Sequence, residues 1–159
     1  MGFDFDPDSI ALVGASSDPT RIAGLPIQYL DKHGYSGTIY PINPKHDEIS
    51  GYTCYPSVEE VPESPDAAMV LLPSEMILDI VEDCLSTGIK NIIVVSSGFS
   101  ETGTETGAQR EAELAALAEE YDAAILGPNS QGIINFSKGV AACFTPALDR
   151  DELHTGPVS

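Results

Sequence analysis

The residues of this chain that could do chemistry lie in five short loops, each following an apolar run. The first is Gly14-Ala15-Ser16-Ser17, after Ile10-Ala11-Leu12-Val13. Gly14 permits a tight turn. Ser16 and Ser17 add hydroxyls beside backbone amides, the chemistry of a phosphate-binding turn ahead of a helix N-terminus. The full GxGxxG pattern is absent, so an ordinary strand-to-helix turn is the alternative. The second loop is Asn43-Pro44-Lys45. A nicotinamide-binding domain places an acid near the end of its second strand to hold ribose hydroxyls. Here Tyr40-Pro41-Ile42-Asn43-Pro44-Lys45 has no acid, and a lysine follows. Lys45 can reach a phosphate as a point charge, which points to a ligand richer in phosphate than NAD. Arg21 is the other cation near this mouth, with a helix-surface role as its alternative.

The third loop is Leu72-Pro73-Ser74. Pro73 offers an apolar wall to an adenine ring or a pantetheine arm, or simply initiates a helix. The fourth, Ser96-Ser97-Gly98-Phe99-Ser100-Glu101-Thr102-Gly103, ends a strand in small residues and continues with an exposed Phe99 and an acid. Gly98 there lets backbone approach a ligand. The fifth, Gly127-Pro128-Asn129-Ser130-Gln131-Gly132, puts Asn129 at a strand end, where it can donate and accept. No catalytic residue is assigned. His33 ends a helix, where a cation is favourable, and His46 and His154 read as loop surface. Cys54, Cys84 and Cys143 form no CxxC pair, so neither a disulfide framework nor a metal site is expected. Cys84 falls on the apolar face of a helix.

The elements that must position these loops alternate. Strands are expected at Ile10–Val13, Thr38–Ile42, Ala67–Leu72, Ile92–Val95 and Ala124–Leu126, with a weak one between Ile49 and Tyr55. Pro41 argues against a central, fully paired position for the second strand. Helices are expected from near Arg21 to His33, from a cap at Ser74 to Gly88, and after Thr106 with Leu114, Leu117, Ala118 and Tyr121 on one face. A short helical turn is expected around Val58–Val61. Continuous apolar strands alternating with helices predict an α/β, Rossmann-like, doubly wound and mainly parallel sheet with helices on both faces. Its ligand sits beyond the carboxyl ends of the strands. Gly127 to Ser159 reads as loop-rich.

The 159 residues fit one domain. No apolar stretch is long enough to span a bilayer, and the N-terminus does not read as a secretory signal. Asp and Glu number 25 against 7 Lys and Arg, for a formal charge of −18. The acids are scattered, as on a solvated surface adapted to high cytoplasmic salt. An ordinary acidic protein with a cationic partner is the alternative. Either way nucleic acid and membrane are disfavoured as partners. The odd cysteine count points to a reducing cytoplasm.

Taken together, Val13-Gly14-Ala15-Ser16, Pro41-Ile42-Asn43-Pro44-Lys45, Ser97-Gly98-Phe99-Ser100-Glu101 and Gly127-Pro128-Asn129-Ser130-Gln131-Gly132-Ile133-Ile134-Asn135 resemble the CoA-binding domain of ADP-forming acyl-CoA synthetases. That group is related to the alpha subunit of succinyl-CoA synthetase. The resemblance covers roughly Ser9 to Pro146, and departs where Ser130 replaces a cysteine frequent in the family. It implies that the loop from Gly14 through Ala15 and Ser16 to Ser17, with Lys45, holds the CoA phosphates. Pro73, Ser97 and Gly98 would flank the nucleotide and pantetheine, and Asn129 would place the thiol. It implies CoA or acyl-CoA as ligand, with ATP, ADP and Mg bound only by domains absent from these residues. A phosphorylated histidine would also lie elsewhere, on the same chain or a second subunit. On this reading residues 1–148 are the CoA-binding domain, and 149–159 a linker and the start of a following domain. A stand-alone CoA-binding regulator and an NAD(P)-binding domain are the alternatives.

Overall fold

The protein was analysed as a computed structural model, which describes residues 2–151. Five parallel strands form the central sheet: β1 (Ser9–Val13), β2 (Thr38–Ile42), β5 (Ala67–Val70), β6 (Asn91–Val94) and β7 (Ala124–Leu126). Their spatial order is β2-β1-β5-β6-β7. The chain moves outward from β1 to β2, then crosses back over β1 to β5. Loops after β1 and β5 therefore diverge, and a crevice opens between them at the carboxyl edge.

The two faces of the sheet are covered separately, as alternation along the strands requires. Ala11, Val13, Ala68, Val70, Ile92 and Val94 face one layer, made by α2 (Ile77–Ser86) and α3 (Glu105–Glu120). Ile10, Leu12, Ala67, Met69 and Ile93 face the other, which contains Ile27 and Leu30 of α1 (Leu25–Lys32). The α/β, doubly wound reading therefore holds.

Several elements differ from expectation for identifiable reasons. Between Ile49 and Tyr55 there is no single third strand. A two-residue antiparallel pair, β3 (Glu48–Ile49) with β4 (Tyr52–Thr53), is followed by one parallel bridge from Tyr55 to Ile42. Tyr55 donates its N–H to Pro41 O at 2.9 Å, on the outer side of β2. The missing N–H of Pro41 falls on that same outer side, where a full strand would have needed it. The first helix begins at Leu25, after a 3-10 turn at Ile22–Gly24. Pro26 fits its first turn. Ser74 does not cap α2. It lies in a 3-10 turn (Ser74–Met76), and its Oγ accepts from Arg110 at 3.3 Å.

The segment after Gly127 is more ordered than a loop-rich reading allows. β8 (Gly132–Asn135) and β9 (Val140–Cys143) form an antiparallel hairpin packed beside α1. Beyond it, a 3-10 turn at Pro146–Asp149 buries Leu148. That turn is tied to α1, with Tyr29 donating to Asp149 at 2.8 Å and His33 Nε2 2.9 Å from Leu148 O. His154 and the Gly156-Pro157-Val158-Ser159 segment lie outside the described residues.

Candidate functional site

All five loops converge on the carboxyl edge because the register aligns the strand ends. Val13 pairs with both Ile42 and Val70, Val70 with Val94, and Ile93 with Leu126. Two cavities open there. One, of about 360 Å³, is lined by Val13, Gly14, Asn43, Pro44, Lys45 and the facing wall of α2. The other, of about 530 Å³, is lined by Arg21, Ile22, Ser96, Ser97, Asn129 and Phe144. Leu72 borders both cavities. Together they form a two-lobed cleft across the switch point, each lobe within the size range of small-molecule sites.

Gly14 marks the narrowest place. Its φ is +86°, and a Cβ there would stand 2.8 Å from Leu72 Cδ2 and 3.0 Å from Leu71 O. Gly14 N–H donates to Ile42 O, Ala15 N–H to Leu12 O and Ser16 N–H to Ala23 O. The loop thus uses most of its own amides, and a 3-10 turn separates it from the N-terminus of α1. From Gly14 to Arg21 only Ser17 has both backbone N–H and hydroxyl without a hydrogen bond among the described residues. Ser16 Oγ accepts from Asp18 N–H at 3.1 Å. Ala15 is buried and contributes its carbonyl, which accepts from Asn43 Nδ2 at 2.8 Å.

Asn43 stood in the second loop of the sequence reading without a role of its own, and the structure gives it one. Its Oδ1 accepts from Lys45 N–H at 3.0 Å while its Nδ2 holds the Gly14 loop. One half-buried amide therefore fixes two loops relative to each other. The signal was its position at the end of β2, where a short polar side chain can bond neighbouring backbone.

The cations differ in kind. Arg21 is largely exposed and pairs with Asp18 at 3.5 Å. Asp18 is held below the usual carboxylate range, chiefly by the Thr20 hydroxyl, with smaller help from Thr20 N–H and Arg21. Lys32, Lys90, Arg110 and Lys138 also contact acids or carbonyls. The Lys45 ammonium has no hydrogen bond or ion pair among the described residues, and it borders a cavity.

Pro73 and Gly98 line neither cavity. Pro73 is exposed at the start of its 3-10 turn. Gly98 has φ +111°, and a Cβ on it would meet Ser74 Oγ at 2.6 Å. Its N–H goes to Glu101, whose carboxyl is lowered first by that bond. Its carbonyl accepts from Arg110 at 3.3 Å. Phe99, read from sequence as exposed, is fully buried in the α2–α3 layer. Its aromatic ring gains more from the core than from solvent. Ser97 and Asn129 do line the second cavity. Asn129 has φ +54° and is pinned by its N–H to Ser96 O at 2.9 Å. Ser96 Oγ donates to Leu72 O, so the floor between the two lobes is cross-tied. Cys54, Cys84 and Cys143 are buried and free. Burial pushes the Cys84 thiol up to about 12, which fits a packing role. No metal-holding group of His, Cys, Asp or Glu occurs among the described residues.

Comparison with known proteins agrees with this fold. A family profile described as a CoA binding domain matches residues 8–135. The chain is 38% identical over 141 residues to acetate–CoA ligase [ADP-forming] I of Archaeoglobus fulgidus, covering 89% of this chain and 20% of that relative. It is 33% identical over 144 residues to the alpha subunit of acetate–CoA ligase [ADP-forming] II of Pyrococcus furiosus, covering 91% of this chain and 31% of the subunit. Among solved structures, acetyl-coenzyme A synthetase 1 of Ca. Korarchaeum cryptofilum, described as dinucleotide forming and in complex with phosphate and ADP, superposes with a TM-score of 0.87 at 38% identity. That match covers 96% of this chain and 31% of the other. The chain thus spans about a fifth to a third of these relatives.

Proposed function

Because the chain belongs to the CoA-binding domain family, we propose that it supplies the CoA site of an ADP-forming acyl-CoA ligase. Such an enzyme joins an acid to CoA while ATP becomes ADP and phosphate. The observation that carries the proposal is the two-lobed cleft at the switch point, with the unpaired Lys45 in one lobe and Asn129 in the other. CoA is an elongated ligand, charged at its nucleotide end and reactive at its thiol. The nucleotide end lies in the Lys45 lobe, where Lys45 offers a charge unpaired among the described residues, and Ser17, on the same loop as Gly14, offers an amide and a hydroxyl from outside the cavity lining. The pantetheine arm passes Leu72 into the second lobe, bringing the thiol toward Asn129 and Ser97. Gly14, Ala15 and Ser16 shape the passage. Arg21 contributes at the mouth once a phosphate competes with Asp18. Pro73 and Gly98 act from behind the rim by setting the path of their loops.

The chain's own residues bind, orient and screen. Among the described residues neither His33 nor His46 lines the cleft, and His33 is engaged with the Pro146–Asp149 turn. ATP, Mg and the phosphoryl carrier belong to further domains or a second subunit. A reducing cytoplasm suits the three free thiols. Among the described residues no helix is long and apolar enough to cross a membrane.

Calorimetric titration in molar salt tests this reading. CoA and acetyl-CoA are expected to bind, and NAD much more weakly. NAD bound as tightly as CoA would overturn it. The 159 residues alone are expected to take no label from the γ-phosphate of ATP. Label on His33, His46 or His154 would contradict the division of roles.

A further inference from the structure

The cavity beside Lys45 has a second polar end that phosphate binding leaves unexplained. Met76, Ile80 and Asp83 follow one another at spacings of four and three, so they share one face of α2 and its lead-in turn. All three border the cavity. Pro56, Val58 and Glu59 line it as well, Val58 and Glu59 from the 3-10 turn at Val58–Glu60. Val13, Ile42 and Leu72 add further apolar surface. The cavity is therefore an apolar slot with one cation, Lys45, and two carboxylates. Glu59 already has a donor, the Ser57 hydroxyl. The Asp83 carboxylate has none among the described residues. Asp83 is an exposed residue at the cavity's edge, and partial desolvation there, and then the charges of Glu59 and Asp79, push its pKa up, so an added donor would relieve it.

The groups of CoA differ in what they could bring to this acid. Phosphates would be repelled by two carboxylates. The pantetheine arm is drawn to the other lobe. The adenine has apolar faces that suit Met76, Ile80, Val58 and Leu72, and its edge carries an exocyclic amine that donates. We propose that the Asp83 carboxylate accepts a hydrogen bond from the 6-amino group of the ligand's adenine, making Asp83 a specificity-determining residue of the nucleotide lobe. This rests on the CoA reading above. It adds that the slot distinguishes a purine with a 6-amino group from one without it.

The test is calorimetric titration of the full chain with CoA and with a CoA analogue whose purine carries hydrogen in place of the 6-amino group. The wild-type chain is expected to bind CoA about tenfold more tightly than the analogue, as a hydrogen bond to a charged acceptor implies. Asp83→Leu keeps a side chain of similar bulk and should bring the two ligands to within about twofold. Asp83→Asn keeps an acceptor oxygen and should retain part of the preference. Asp83 lies on the exposed side of α2, so folding should survive, and circular dichroism checks it. Equal affinity of the wild type for both ligands, or a preference intact in Asp83→Leu, overturns the assignment while leaving CoA binding in place. Failure of both ligands to bind the wild type overturns the CoA reading and this inference together.

Discussion

The two lobes of the cleft are built on different plans. The Lys45 lobe is apolar and drawn from the β1 and β2 ends, the Pro56–Glu59 segment and α2. Its loops are locked by Asn43, which bonds Ala15 and Lys45 at once. The Asn129 lobe gathers Arg21, Ser96, Ser97 and Phe144 from distant parts of the chain, and its one cation is already paired with Asp18. The first lobe has a preformed shape and an unspent charge, the features of a grip. The second is also walled by apolar residues, Ile22, Leu71, Val95 and Phe144 among them, but it carries the uncharged polar groups of Ser96, Ser97 and Asn129 and no unpaired charge, the features of a channel through which a reactive end passes. The contrast teaches that affinity and placement of the reactive group can be assigned to opposite sides of a switch point, with the Gly14–Leu72 contact as the divide.

The divide is where the comparison breaks most easily. Gly14→Val adds a branched side chain where even a Cβ would stand 2.8 Å from Leu72, at a φ that strains any L-residue. Backbone strain alone costs about 1–3 kcal/mol, and the new side chain closes the passage. Thermal melting should fall by several degrees, and CoA titration should show no measurable binding. Binding at wild-type strength would mean the lobes are not used together.

Lys45→Glu should come next. Exchanging an attraction for a repulsion should weaken CoA by about 1–2 kcal/mol or more. Molar salt, with a Debye length of about 3 Å, removes the long-range part and leaves the contact part. An unchanged dissociation constant would show that Lys45 is only surface. Arg21→Ala should matter less, because that guanidinium is exposed and shared with Asp18. A loss below about 0.5 kcal/mol is expected from direct titration. A larger loss than for Lys45→Glu would reverse the roles given to the lobes.

Salt bears on both lobes alike. With a formal charge of −18 the folded chain repels itself, and screening should relieve it. Melting temperature is expected to rise between dilute and molar potassium chloride, and a flat profile would argue against a high-salt setting.

What the sequence made legible follows from locality. The five parallel strands could be read because each is a short, continuous apolar run flanked by turn residues, a pattern that burial on both faces demands. The β8–β9 hairpin was harder. Ile133 and Ile134 and the run Val140 to Cys143 flank a turn through Ser137, Lys138 and Gly139. That is a hairpin pattern, but only packing on α1 makes such short strands worth forming. Ser74 looked like a cap because its type and position fit. Its partnership with Arg110 spans 36 residues, which no local rule foresees. Gly98 looked like a ligand contact for the same reason, and Ser74 fills its clearance. Lys45 and Asn129, proposed as site residues from their places near strand ends, do border the two cavities. Asn43 was given no role, because its part is to join two loops 28 residues apart.

A crystal structure of the chain with CoA tests the central claim most directly. The account predicts the adenine and its ribose phosphates in the lobe lined by Lys45, Met76 and Ile80, and the pantetheine arm crossing at Leu72 with the thiol beside Asn129. The reverse orientation would contradict it, as would CoA bound away from the carboxyl edge of the sheet.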